Sequence, residues 1–238
     1  MFARTARLLL LLGLTAAGLG AQTLSLVTDD VYPRSTPDGR GFEDLILKEA
    51  FRRLGLDVRT APLPSERALI NVNQGIDDGL YVKVAGVEAA YPNLVRVPEP
   101  VCDYEFAAFG RDPSLKISGY PSLAPYSIAF IRGWKNPEAA TAGMKSVTRV
   151  KDDEALFEML IHGRVDVIVY EALQGRVWIR NRGLSGIRQL GPPLAVTEMY
   201  LYLNVRHRDL APRVAAALKA MKADGTWRRI VDSVVGGL

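Results

Sequence analysis

The chain reads as an α/β protein of two similar lobes, each a mostly parallel sheet flanked by helices, joined by a hinge of two antiparallel strands. Three observations predict this. First, a phrase of helix end, glycine, aspartate and buried strand occurs twice, as Asn73-Gln74-Gly75-Ile76-Asp77-Asp78-Gly79-Leu80-Tyr81 and as His162-Gly163-Arg164-Val165-Asp166-Val167-Ile168-Val169-Tyr170-Glu171. In each copy the glycine suits the left-handed position that closes a helix, and the run after the aspartate suits a strand entering a core. Second, strand and helix patterns alternate around each copy, which implies parallel strands with crossover helices. Third, a Pro- and Ser-rich stretch, Asp112 to Pro125, separates the two alternations.

The first alternation opens with a strand over Thr23 to Thr28, where apolar and polar residues alternate. A Pro-, Gly- and Asp-rich loop follows, and the apolar spacing from Phe42 to Leu54 predicts a helix ending at Gly55. Val58 to Thr60 then reads as a strand, Ser65 to Asn73 as a helix, and Gly79 to Val82 and Leu94 to Val97 as strands. Tyr104 to Phe109 is an apolar run leading out of this lobe.

The second alternation mirrors the first. It predicts strands at Ser127 to Ile131, Ser146 to Val150 and Val165 to Val169, with helices at Pro137 to Met144, Asp152 to His162 and Glu171 to Arg182. Gly191-Pro192-Pro193 is expected to break the pattern before a returning strand, Met199 to Val205, and two closing helices near Ala211 to Ala223 and Thr226 to Val234. Crossings near Phe109 and near Leu194 place the first lobe at residues 22–109 plus 195–238, and the second at 110–194.

Residues 1–21 read as a signal peptide. Arg4 and Arg7 supply the positive region, Leu8 to Ala17 the apolar run, and Leu19-Gly20-Ala21 a small-residue cleavage site. The apolar run falls short of the roughly 20 residues of a spanning helix, so a soluble periplasmic product is expected, with no cysteine at the cleavage site for a lipid anchor. The formal charge of +4 loses two cations with the leader, and the remaining basic residues are scattered. Nucleic acid is therefore not an expected partner. Cys102 is the sole cysteine, which excludes an intramolecular disulfide and a thiolate metal cluster.

With Tyr32-Pro33, Gly41-Phe42-Glu43-Asp44-Leu45, Gly75-Ile76-Asp77, Arg132-Gly133-Trp134, Gly163-Arg164-Val165-Asp166, Leu201-Tyr202-Leu203-Asn204 and Gly225-Thr226-Trp227 in this order, the chain resembles the family 3 extracytoplasmic solute-binding proteins. These are the amino-acid-type binding proteins of ABC importers, with the type II periplasmic binding fold. The resemblance covers nearly all of the chain after the leader. It implies a monomer that closes around a small-molecule ligand and hands it to an inner-membrane ABC permease, with no cofactor and no metal.

Ligands of open parallel sheets sit beyond the carboxyl ends of the strands, so the junctions after strands supply the candidate site. Tyr32 follows the first strand and could stack on a flat ligand or form a solvated turn. Where amino-acid-binding members carry an arginine for the ligand carboxylate, this chain has Tyr81-Val82-Lys83. Lys83 brings a point charge without the planar fork of arginine, and Arg67, one turn into the second helix, could supply that fork or cover the sheet edge. In the second lobe Gly133 is followed by Trp134, a stacking face, with Arg132 beside it. Tyr170 and Glu171 end the strand where such members carry an aspartate for the ligand's ammonium group. Glu171 also reads as a first-turn acid stabilised by the helix dipole.

No Gly-x-Ser-x-Gly elbow, His-Glu-x-x-His motif or phosphate loop is present, so no enzyme is expected. A dehydratase-like enzyme using cleft carboxylates, and a ligand sensor docking on a membrane receptor, are the alternatives.

Overall fold

The computed structural model describes residues 23–236. The expected signal peptide lies outside the described residues. In chain order the elements are β1 (Leu24–Thr28), α1 (Phe42–Arg52), β2 (Val58–Pro62), α2 (Ser65–Asn73), β3 (Gly79–Lys83), β4 (Leu94–Arg96) and β5 (Cys102–Gly110). They continue with β6 (Ile128–Ile131), α3 (Lys135–Ala140), β7 (Val147–Val150), α4 (Asp153–Ile161), β8 (Val167–Glu171), α5 (Ala172–Asn181), β9 (Arg188–Asn204), α6 (Ala211–Ala223) and α7 (Thr226–Val235).

The strands run in the order β2-β1-β3-β9-β5-β8-β6-β7, with β4 paired to β9. Each lobe therefore repeats one arrangement. The first strand of each, β1 or β6, lies between the other two, and all are parallel. β1, β3 and β8 are buried along their whole length, as parallel strands covered on both faces should be.

The repeated phrase builds the same joint in both lobes. Gly75 and Gly163 take positive φ of 75° and 64°. The next residue reaches back into the helix, with Ile76 N–H bonded to Asn71 O at 2.9 Å and Arg164 N–H to Met159 O at 2.8 Å. Three residues after each glycine an aspartate ties the strand to its neighbour. Asp78 Oδ2 accepts the Ser25 N–H at 2.8 Å, and Asp166 Oδ2 accepts the Ser127 N–H at 2.8 Å.

β5 and β9 run antiparallel from the Cys102–Met199 pair to the Gly110–Arg188 pair, and link the two halves of the sheet. Sequence reading ends the second lobe's pattern at Gly191-Pro192-Pro193, whereas β9 continues through it for 17 residues. The reason is a bulge: residues 191–194 stand opposite the single Ala107, because Phe106 pairs Ala195 and Ala108 pairs Leu190. Pro192 and Pro193 cannot donate to a ladder, and the bulge removes them from it.

α5 rests on β5 at Gly175, where an added Cβ would stand 2.3 Å from the Phe109 ring. That close approach seats α5 on the second lobe's core, which Phe109 shares with Phe157 and Ile168. No helix among the described residues is long and apolar enough to cross a membrane.

Candidate functional site

Loops at the carboxyl ends of β1, β3 and β8 meet where the two lobes face each other. The segment after β1 supplies Asp29, Asp30 and Arg34. Its shape is held from beneath by Asp44, in the first turn of α1, which accepts N–H groups from Thr36 at 3.0 Å and Gly41 at 2.9 Å. Tyr81 belongs to this support. It is fully buried and donates its hydroxyl to Asp44 Oδ1 at 2.5 Å. Burial, followed by the Asp44 charge, pushes the Tyr81 phenol well above its usual range and keeps it a donor.

Arg34 is the centre of the arrangement. Its Nη1 donates to Glu43 Oε1 at 2.7 Å, and its Nη2 donates to Glu171 Oε1 at 2.8 Å and to the Asp103 carbonyl at 3.1 Å. The guanidinium lies over the Tyr104 ring at 4.0 Å. Burial disfavours the cation, but Glu171, Tyr104 and Glu43 outweigh it and hold Arg34 charged. Glu171 caps α5 with its other oxygen, which accepts the Gln174 N–H at 2.8 Å. Three residues on, the Gln174 side chain donates to Asp30 Oδ1 at 3.1 Å and to the Val31 carbonyl at 3.3 Å. One turn of α5 thus grips the loop after β1 at two points.

Asp30 also accepts a hydrogen bond from Tyr104. Burial, and then the nearby Glu43 carboxylate, hold Asp30 well above the ordinary carboxylate range. Cys102 donates its thiol to Glu43 Oε1 at 3.0 Å, and burial pushes that thiol up, away from the reactive thiolate. Arg34 Nε and Glu43 Oε2 are buried polar atoms of this cluster without a hydrogen-bond partner.

Beside the cluster runs an aromatic wall. Trp134 stacks on Tyr170 with centroids 5.2 Å apart and meets Phe106 edge-on at 5.9 Å, and Phe106 lies 6.3 Å from Tyr104. A groove of about 820 Å³ reaches Arg34, Cys102 and Glu171 from the side of the closing helices, where Lys222, Trp227 and Arg228 line it, and Trp134 and Tyr170 are not part of its wall.

The candidates from sequence fall into three groups. Glu171 meets Arg34, whereas Trp134 stacks on Tyr170, which is buried and packs edge-on against Phe157 in the second lobe's core. Tyr81 and Lys83 lie at the end of β3. There Val82 has a φ of 63° and the register with β9 shifts, and Lys83 pairs with Asp29 and donates to Ser65 Oγ at 2.9 Å. Left-handed backbone in a β-branched residue is strained, and the bulge it makes re-aims Lys83. Tyr32, Arg67 and Arg132 stand on the exposed surface. Sequence reading missed Arg34, Gln174 and Tyr104. The one local signal was an arginine directly after Tyr32-Pro33, ahead of the acidic pair Glu43-Asp44 that opens α1.

The fold has counterparts among solved structures. A histidine kinase sensor domain with similarity to periplasmic binding proteins superposes with a TM-score of 0.77 at 17% identity, covering 90% of this chain and 96% of that one. The chain has the two-lobed periplasmic-binding-protein fold. Within that fold, the GluR0 ligand-binding core in complex with L-glutamate gives a TM-score of 0.80 at 11% identity, covering 91% of this chain and 99% of that one. An ancestral arginine-binding protein bound to arginine gives 0.74 at 18%, covering 90% and 98%. At the level of sequence, an uncharacterized protein of Shewanella oneidensis is 26% identical over 194 residues, covering 78% of this chain and 73% of that protein. No family model matches.

Proposed function

We propose that the protein is a periplasmic solute-binding protein of the family 3, amino-acid-binding kind. It captures a small polar ligand, amino-acid-like or an organic or aromatic acid, between its lobes and delivers it to an ABC permease. The observation that carries this reading is the meeting of Asp30 and Arg34 with Glu171 and Gln174 across the cleft. Charged and hydrogen-bonding groups from both lobes converge at the carboxyl ends of parallel strands, where ligands of such sheets bind. Solved structures of the same fold hold arginine and L-glutamate, which supports the ligand class. Capture combines electrostatic clamping by the cleft's charges with stacking on Trp134, and the lobes close by bending at β5 and β9.

A thermal-shift screen against amino acids, amines, organic acids and aromatic acids tests it, because a ligand that binds only the native state must raise the melting temperature. No hit across these classes would sink the reading. Mass spectrometry of the hit after incubation separates binder from enzyme, since turnover would favour dehydratase-like chemistry. The likeness to a sensor domain motivates a second reading, docking on a membrane receptor. Loss of ligand uptake on deletion of the gene favours the permease.

A further inference from the structure

Arg34 makes the contacts that a protein builds for a free guanidinium. One face lies on the Tyr104 ring, and the fork meets two carboxylates and a carbonyl. Stacking and fork geometry are the two respects in which arginine differs from lysine, and both are used. The partners come from three places: Glu43 from α1 of the first lobe, Tyr104 from the bridging strand β5, and Glu171 from the second lobe. Glu43 is 0% exposed and Glu171 1%, so without a cation two buried carboxylates would face the site uncompensated. Lys83 shows the same pattern, its charge already matched by Asp29.

We propose that the cleft holds a guanidinium site whose resident occupant is Arg34, a tethered ligand that fills the cation position beside Glu171 and draws the lobes together. The inference rests on the cleft being the ligand site and specifies its selectivity. An external cation must compete with a guanidinium held at high intramolecular effective concentration. Arg34 is therefore a specificity-determining residue that excludes free cations, and the external ligand docks beside it.

The test is chemical rescue of Arg34→Ala with methylguanidinium chloride at matched ionic strength, read by thermal shift and by iodoacetamide alkylation of Cys102. Cys102 is a suitable reporter because it is 6% exposed and touches both Arg34 and Glu43. Methylguanidinium should leave wild type unchanged and raise the melting temperature of Arg34→Ala by several degrees, and Arg34→Ala/Glu171→Gln should lose that response. Arg34→Ala also removes a charge that favours the Cys102 thiolate, so faster alkylation there reports loosening of the cleft; it should rise about tenfold over wild type and slow again with methylguanidinium. Equal shifts in wild type and variant, or none in either, would overturn the proposal. Should Arg34→Ala not fold, Arg34→Lys keeps the charge without the fork, and alkylation should then run roughly tenfold faster with an unchanged circular dichroism spectrum. A wild-type rate in that variant would equally overturn it. The rescue needs no knowledge of the natural ligand, so a failed ligand screen and a failed rescue are separate results.

Discussion

Arg34 of the first lobe and Glu171 of the second are joined across the cleft at 2.8 Å, although 137 residues separate them in the chain. Both side chains are buried, and Glu171 spends its other oxygen on capping α5. Glu171→Gln keeps an oxygen for the cap but removes the charge opposite Arg34. The variant should lose about 2–3 kcal/mol, somewhat less than the roughly 3–5 kcal/mol of breaking a buried pair outright. Urea denaturation measures it, and an unchanged midpoint would mean that Glu43 alone satisfies Arg34.

Asp30 makes stability depend on pH in an unusual direction. Burial and then the Glu43 carboxylate raise its folded pKa well above the ordinary 3.8. Between those two values the folded state holds a proton that the unfolded chain has released, so stability falls as pH rises through the interval. Asp30→Asn mimics the protonated carboxyl and can still receive the Gln174 amide, so the variant should not show this fall. Glu49 has the opposite sign. Its hydrogen bond from Arg52, helped by Arg53, lowers it to about 2, and that contribution is lost as pH falls from 4.5 toward the lowered value. Urea midpoints of wild type and Asp30→Asn across pH should therefore diverge on the alkaline side and agree on the acid side.

The parts of the candidate site that the sequence offers are those fixed by local position. Trp134, Tyr170 and Glu171 stand at strand-to-helix junctions, and the alternation of elements locates such junctions without knowledge of the partner. Arg34 was not legible, because nothing local says which lobe a loop arginine will meet, and its partners Glu43, Tyr104 and Glu171 belong to three different elements. The full length of β9 was hidden for a different reason: Gly191-Pro192-Pro193 has the composition of a strand break, and only the opposing register of Ala107 turns it into a bulge.

Trp134 is half-buried, stacked on Tyr170 and edge-on to Phe106. Trp134→Ala removes these ring contacts, so the cost should be about 1–2 kcal/mol, less than for a fully enclosed tryptophan. Any ligand found by screening should bind at least roughly tenfold more weakly to Trp134→Ala and to Glu171→Gln, since one removes the stacking wall and the other unbalances the clamp. Calorimetry returning wild-type affinity for both variants would remove these residues from the site.

The two copies of the repeated joint differ in burial, and this allows a controlled comparison. Asp78 is 8% exposed and serves the equally buried Ser25, and its other oxygen meets Arg206 and His207, each at 2.6 Å. Burial pushes its carboxyl up, but the hydrogen bonds from Ser25, His207 and Arg206 prevail and hold it low. Asp166 is exposed and serves Ser127 alone. If the joint's value lay in backbone geometry alone, Asp78→Ala and Asp166→Ala would cost the same. Because removing Asp78 also takes the acceptor from a buried N–H, the Arg206 guanidinium and the His207 ring, it should cost about 2–3 kcal/mol against roughly 1 kcal/mol for Asp166→Ala. The difference should shrink below about pH 4, where the carboxyl that distinguishes the two sites begins to protonate. Equal losses at neutral pH would show that Arg206 and His207 contribute nothing to the fold through Asp78.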